Sequence, residues 1–426
     1  MPSRHLSLLL PALAASLLSV SARASACSPV TRSNLIPCAL AQNIENRSER
    51  EGLAAAQGRR NAAATILPSN PAVSLSAGQP IGYALSSGAL TWSVSVAQEL
   101  EIGGQRGRRI ELANAEQSAQ ARRVAATQRE VARAALIAYF DALAARDRSV
   151  LAQRLGLVAR ALGAFASSRA DVGLLSPVES AVAQAEAVRL AQLELDAQLQ
   201  LEEALTTLTS ILGQDPTQGS VALDGQLEPL QITELSSDRL VGGAIAERAD
   251  VQVAMAEKQA ASQRAALLRA SRVPNPTLSV FYRKDWFDER TAGIGLAFPL
   301  PLPSPIGRTF AGEISEADAL ARRAKLETQK LQRNVRLEVL NARLALDTRR
   351  RELALYTPES IGQAEAGVEA IGEALRGQKI AIRDALLSEQ ALVELLLDYI
   401  EARHRLCLAS VELAHAAGFA VERGIQ

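Results

Sequence analysis

Aromatic residues make up only 3% of this 426-residue chain, and there are just three histidines and three cysteines. His5 lies in an apolar leader, so His404 and His415 remain, and no Ser, His, Asp set is recognisable. Net charge is missing as well. The 46 basic residues balance 46 acidic ones, which gives no electrostatic case for a nucleic-acid partner. Past the leader no run reaches the ~18 apolar residues a spanning helix needs, so passage through a membrane would have to use a closed barrel. Gly103, Gly104, Gln105, Arg106, Gly107 and Arg108 are glycine-rich but lack the Lys and the Ser or Thr of a phosphate loop. We therefore expect no enzyme, no cofactor and no nucleic acid.

What is present begins with Arg4 and His5 ahead of the apolar run Leu6 to Val20, followed by the small residues Ala24, Ser25 and Ala26. This is the pattern of a secretory signal peptide over residues 1–26, and it implies export. Cleavage after Ala26 makes Cys27 the first residue, a place suited to lipid attachment, although Ala24 departs from the usual Leu of a lipobox. Pairing of Cys27 with Cys38 in an oxidising compartment is the other reading, and both stay open. Cys407 belongs to the seven-residue series Leu386, Val393, Ile400, Cys407 and reads as a buried core thiol. Glu401, His404 and Cys407 recur at i, i+3 and have metal-ligand chemistry. Packing plus a solvated face is the preferred reading, and no metal is assigned.

Two pairs of short runs alternate with period two. In the first, Val73 and Leu75 alternate with Ser74 and Ser76, and then Trp92, Val94 and Val96 with Thr91, Ser93 and Ser95. In the second, Leu278, Val280 and Tyr282 alternate with Thr277, Ser279 and Phe281, and then Ile294, Leu296 and Phe298 with Gly293, Gly295 and Ala297. Alternation predicts strands. Opposite the apolar side stand Ser, Thr, Gly and Ala rather than charge, the pattern of a membrane-barrel strand, which crosses a bilayer in ~10 tilted residues.

The second pair copies the first. Asn70 and Pro71 return as Asn275 and Pro276, Glu179 as Asp384, Leu208 as Leu413 and Gly213 as Gly418, an offset of about 205 residues that marks a duplicated unit rather than a solenoid. Residues 214–243, with Pro216, Gly219, Gly225, Pro229 and Ser236, read as the linker between copies.

Each copy also holds a very long helical stretch, from about Arg109 to Ala170 and from about Thr309 to Arg376, with no proline until Pro358. Leu136, Leu143, Val150 and Leu157 predict a coiled-coil seam. At ~1.5 Å per residue the first stretch is ~90 Å long and the second ~100 Å. Each matches two shorter helices end to end: Pro177 to Leu212 (~55 Å) with Ala244 to Arg272 (~43 Å), and Ala381 to Ala417 (~57 Å) with Ala39 to Leu67 (~43 Å). One chain thus carries four strands and a long helical body. Four strands cannot close a barrel, since the smallest have about eight, so several chains must share one.

This duplicated arrangement resembles the TolC family of outer-membrane efflux proteins over the mature chain. Residues Gln98 to Gly107, and the Pro-rich counterpart Pro299, Leu300, Pro301, Leu302, Pro303, are similar to the strand-to-helix turn of its CzcC-like heavy-metal branch. Val172, Gly173 and Leu174, with Glu179 beyond, resemble the family's hairpin tip; Gly377 with Asp384 departs from it by one residue. The resemblance implies residues 27–213 and 244–426 as two efflux repeats. It implies a homotrimer whose twelve-stranded β-barrel lies in outer-membrane lipid, above a long α-helical coiled-coil tunnel in the periplasm. Its partners would be a periplasmic adaptor and an inner-membrane pump of the resistance-nodulation-division type.

From the residues at the tips we expect docking of the adaptor by Val172, Gly173, Leu174, Ser176, Gly377 and Gln378. We expect closure of the aperture by Arg169, Asp171, Glu179, Arg383 and Asp384. The function implied is a passive exit duct for metal cations. Export of organic toxins by the same architecture, or a periplasmic coiled-coil structural protein, are the alternatives.

Overall fold

The computed structural model describes residues 27–79, 90–232, 235–285, 287–302, 305–376 and 382–419. The leader, Gly377 and Gln378 of the second tip, Pro303, and most of the loop between the first two strands lie outside the described residues. In chain order the elements are α1 (Arg32–Gln42), α2 (Ile44–Ala63), β1 (Ala72–Gly78), β2 (Thr91–Glu99), α3 (Gln105–Asp171), α4 (Pro177–Ile211), α5 (Ser237–Glu247), α6 (Ala249–Ala270), β3 (Thr277–Lys284), β4 (Arg290–Ala297), α7 (Ala311–Leu353), α8 (Pro358–Arg376) and α9 (Ile382–Ala416). They fall into two compact units.

The sheet unit comprises Ser48–Ala126 and Ala249–Arg333. Its sheet has the order β1-β2-β3-β4, every pair antiparallel. Beside it the first turns of α3 run along α2 and α6. Gln120 Nε2 donates to Glu49 Oε2 at 2.7 Å, Arg264 pairs with Glu116 at 3.0 Å, and Arg123 pairs with Glu257. On the other side of α6, Arg269 pairs with Asp318 of α7, and Thr328 donates to the carbonyl of Ala254 at 3.3 Å.

The helical unit comprises the described residues up to Arg47, Thr127–Arg248 and the described residues from Asn334. Its main core joins Leu35 of α1, Leu136, Tyr139, Phe140 and Leu143 of α3, Leu208 of α4, and Cys407 and Val411 of α9. Ala132, Ala135, Ala138 and Ala142 sit among them and let the helices approach closely.

The 214–243 stretch lies on this core rather than hanging free. Val221, Leu227 and Leu230 are buried, Tyr139 donates its hydroxyl to the carbonyl of Asp224 at 2.8 Å, and Val30 pairs with Leu223 as a parallel bridge. Cys27 is bonded to Cys38. Lipidation of Cys27 is thereby corrected: a sulfur held in that bond is not free for a lipid thioether. Cys407 is free and fully buried as expected, and burial pushes its thiol up to about 12.

Three expected helices prove to be broken. Those over residues 39–67 and 244–272 leave helical geometry for one residue each, at Asn43 (φ −58°, ψ 130°) and Arg248 (φ −60°, ψ 130°). A single non-helical residue leaves the hydrophobic phase readable on both sides, so periodicity passes over it. The stretch from Thr309 to Arg376 is parted at 354–357 into α7 and α8. Here Pro358 is the cause, because it has no N–H and its ring clashes with the carbonyl four residues back, so it opens a new helix. Thr357 caps that helix, its Oγ1 accepting from the N–H of Ser360 at 3.1 Å.

The coiled-coil seam on α3 also departs from expectation. Leu136 and Leu143 are buried, but Val150 and Leu157 are 44% and 64% exposed, and the buried line passes instead to Leu155, Ala159 and Ala166. A straight helix of 3.6 residues per turn drifts ~20° per heptad, which carries a strict seven-residue series out of contact. On α9 the series Leu386, Val393, Ile400, Cys407 stays buried. There three of its members fall in three separate clusters, whose different partners cover the drift.

Candidate functional site: a two-faced sheet and a helical tip

Strand register sorts the sheet into two faces. Leu75, Val94, Tyr282 and Ala292 form one cross-strand row, and Val73, Val96, Val280 and Ile294 the next. Leu278 and Leu296 continue the same face, with Gln98 beside them. Toward the loop end Trp92 lies opposite Lys284, which pairs with Arg290, and Trp92 stacks on Tyr282 with ring centroids 5.4 Å apart. The other face carries Ser74, Ser95, Phe281 and Gly293 in one row and Ser76, Ser93, Arg283 and Thr291 in another. Ser76 and Ser93 share a hydrogen bond of 2.8 Å. A Cβ at Gly293 would stand 2.6 Å from the Phe281 ring, so glycine there makes room for a large aromatic side chain on the small-residue face.

The apolar face is uncovered. Leu75 is 76% and Ile294 80% exposed, and Val73, Val96, Val280 and Leu296 are exposed with them. A water-soluble domain rarely leaves so continuous a patch bare. The outer strands β1 and β4 each pair on one side only among the described residues, so both edges offer unpaired backbone groups.

Below the sheet, the turn read from the sequence is a network. Gln105 Nε2 donates to the carbonyl of Val273 and to Asn275 Oδ1, both at 2.9 Å, and Asn275 Nδ2 donates to Glu99 Oε1 at 2.8 Å. Arg109 pairs with Glu101 at 2.5 Å. Gln105 and Asn275 thus tie the end of β2 and the start of α3 to the entry of β3. On the counterpart turn Leu300 and Leu302 are exposed.

The first tip joins α3 to α4. Gly173 has φ +72°, and the N–H of Leu174 returns to the carbonyl of Arg169 at 2.9 Å, closing α3 through a left-handed residue that glycine adopts without Cβ strain. Ser176 then opens α4: its Oγ accepts from the N–H of Glu179 at 3.2 Å, and its own N–H donates to Glu179 Oε2 at 3.0 Å. The Ser176 hydroxyl and N–H hold the Glu179 carboxyl below the usual range. Between these caps Val172 and Leu174 are each 66% exposed, whereas Leu175 packs against Ala166, Ala183 and Leu386.

Of the residues expected at the aperture, Glu179 is engaged in its own helix cap, and Arg169 lies over the Phe165 ring at 5.2 Å. Asp171, Arg383 and Asp384 are exposed, Asp384 in the first turn of α9. Glu401 pairs with Arg148 and Arg405, and His404 Nε2 meets Asp141 at 2.7 Å, so neither joins Cys407 in a metal set. Two features went unread in the sequence. Val178, Val182, Leu195 and Leu199 leave exposed apolar positions along α4, and Glu389 is buried in the α9 seam. Spacing could have shown the second, since Leu386, Glu389, Val393, Leu396 and Ile400 continue one inward-facing series.

A sheet bare on an apolar face, in a chain of long Ala-rich helices, has the pattern of strands contributed to a shared membrane barrel. Residues 35–214 match the family of outer membrane efflux proteins. It is 26% identical to the cobalt-zinc-cadmium resistance protein CzcC of Cupriavidus metallidurans over 281 residues, 64% of this chain and 65% of that protein's length. Its fold is shared with the outer membrane protein VceC of Vibrio cholerae (TM-score 0.71, 19% identity, 91% of this chain and 96% of that one). The Campylobacter jejuni CmeC outer membrane channel shares it too (TM-score 0.76, 16% identity, 91% and 85%). The proteins of the matched family are transport channels of the cell outer membrane rather than enzymes.

Proposed function

We propose that the chain is the exit duct of a tripartite efflux system, passively conducting substrate to the cell exterior. The sheet carries this reading: four strands with an uncovered apolar face, a small-polar face opposite, and two open edges. Three copies joined edge to edge give twelve strands, above the ~8 that the smallest barrels need. In that barrel Val73, Leu75, Val94, Val280 and Ile294 meet lipid, and Trp92 falls near its outer boundary as an aromatic anchor. Ser74, Ser93, Ser95 and Gly293 line the lumen.

The likeness to a cobalt-zinc-cadmium resistance protein supports divalent metal cations as cargo. At the helical end, Val172, Gly173, Leu174 and Ser176, joined by Gly377 and Gln378, dock a periplasmic adaptor that couples the duct to an inner-membrane pump. Exposed apolar Val172 and Leu174, with Arg169 and Asp171 just before them and Arg383 and Asp384 at the start of α9, suit such a contact. Deleting the gene should sensitise cells to cobalt, zinc or cadmium salts, and the purified protein should form heat-modifiable trimers that conduct in planar bilayers. A soluble extended monomer without conductance would end the reading; conductance with unchanged metal tolerance would leave the duct and remove the metal cargo.

A further inference from the structure

Glu389 of α9 is 1% exposed, and neither of its carboxylate oxygens has a hydrogen-bond partner among the described residues. It falls between the cluster that holds Leu386 and the cluster that holds Val393. Its acidic neighbour Glu186, on α4, is also buried but well served: its carboxylate accepts from Arg189 Nε at 2.7 Å and from Gln390 Nε2 at 3.1 Å. Burial works to raise the Glu186 carboxyl, and the bonds to Arg189 and Gln390 outweigh it, so this group stays ionised. Glu389 has no such support. Burial first, and the charge of Glu186 second, push it up to about 7, with Arg189 offsetting only part.

Among the described residues, Glu186 and Arg189 are the charges that act on Glu389. At this level α3 contributes Ala159 and Ala166, and its Arg160 is bonded to Glu194 at 2.9 Å. From α8 come Val368 and Ile371, while Glu365 and Glu369 are exposed. A metal ion would find two carboxylates, one of them already saturated by Arg189 and Gln390, which is too few ligands for a divalent site. A proton needs only one oxygen.

We propose that Glu389 is a proton-operated latch between α4 and α9. Protonated, it sits as a neutral side chain between the two apolar clusters and lets the helices close. As pH rises its proton leaves to water, a bare buried charge faces Glu186, and the two helices loosen about three turns from the tip. The sign follows from the raised value: the closed arrangement is fully favoured at acidic pH and loses that advantage as pH passes through about 7.

Hydrogen exchange on the full chain in detergent tests this without reference to transport. After correction for intrinsic chemistry, peptides covering residues 182–193 and 385–396 should exchange at least ~tenfold faster at about pH 8.5 than at about pH 5.5. In Glu389→Gln, a neutral mimic of the closed form, they should stay protected at both. Glu186→Gln removes the like charge, so the loosening should move to lower pH, a shift that a merely structural contact would not produce. An unchanged pH response in Glu389→Gln overturns the latch, as does an unmoved midpoint in Glu186→Gln. Protection restored to the native protein at about pH 8.5 by calcium or zinc ions would overturn it in favour of a cation site.

Discussion

Asn43 Nδ2 donates to the carbonyl oxygen of Ile211 at 3.3 Å, and at the equivalent place in the second copy Arg248 Nη1 donates to the carbonyl oxygen of Ala416 at the same distance. Both donors stand at a one-residue helix break, and both acceptors are the last residues of return helices, whose final carbonyls have no partner within the helix. The duplication preserved the bond while changing the donor. Asn43 also caps α2, its Oδ1 accepting from the N–H of Glu45 at 2.9 Å, whereas Arg248 also pairs with Glu338 at 2.6 Å.

Asn43→Ala should therefore cost about 1–2 kcal/mol, through a lost cap and a lost bond. Arg248→Ala should cost about 2–3 kcal/mol, because the Arg side chain is buried and its bonds are charge-assisted. Thermal unfolding of both variants in detergent checks the order, and a larger loss at Asn43 would contradict it.

With Cys27 bonded to Cys38, the mature chain should carry no lipid on Cys27. Intact mass and palmitate labelling measure this directly. Two cysteines should become alkylatable only after reduction, and Cys407, buried and held at about 12, only after unfolding. Cys27→Ser should lower stability by about 2–3 kcal/mol, the expected effect of releasing so short a loop.

On the sheet, Val94 and Ser95 are neighbours in sequence that face opposite ways. Val94→Arg near the bilayer midplane should cost about 2–4 kcal/mol. Ser95→Arg should be tolerated as a lumen substitution and change conductance instead. Equal losses of trimer at the two positions would mean that the sheet lies against a soluble partner.

Leu174→Asp should leave trimer abundance in the outer membrane unchanged while metal efflux falls to the level of the deletion strain, because Leu174 is exposed and supports no core cluster. Retained efflux with normal trimer would remove the docking role. At Gly173 the left-handed backbone makes substitution costly by itself: Gly173→Ala should lose about 1–2 kcal/mol through strain, a fall in melting temperature that Leu174→Asp should not share.

Much of the candidate site was legible because it rests on local patterns. Alternation in Trp92, Val94 and Val96 against Ser93 and Ser95 reports a two-faced strand whatever it pairs with. Gly173 followed by Ser176, Pro177 and Glu179 spells the end of one helix and the start of the next within a few residues. The α9 series from Leu386 to Cys407 faces inward because helical periodicity alone fixes the angle between its members.

Features that depend on residues far apart in the chain came only with the tertiary structure. Sequence alone determined the repeat, the four strands and their faces, the long helix α3 and the first tip, since each is a repeat or a short-range backbone preference. Tertiary structure decided that Cys27 meets Cys38, that Val94 lies between Leu75 and Tyr282, that Ile211 and Ala416 find donors at the two helix breaks, and that Glu389 meets Glu186 with no partner for its oxygens among the described residues. Those pairings depend on which surfaces the helices bury against one another. Drift on α3 shows why periodicity cannot supply that: a seven-residue series keeps its spacing while the helix turns its later members, Val150 and Leu157, away from the core.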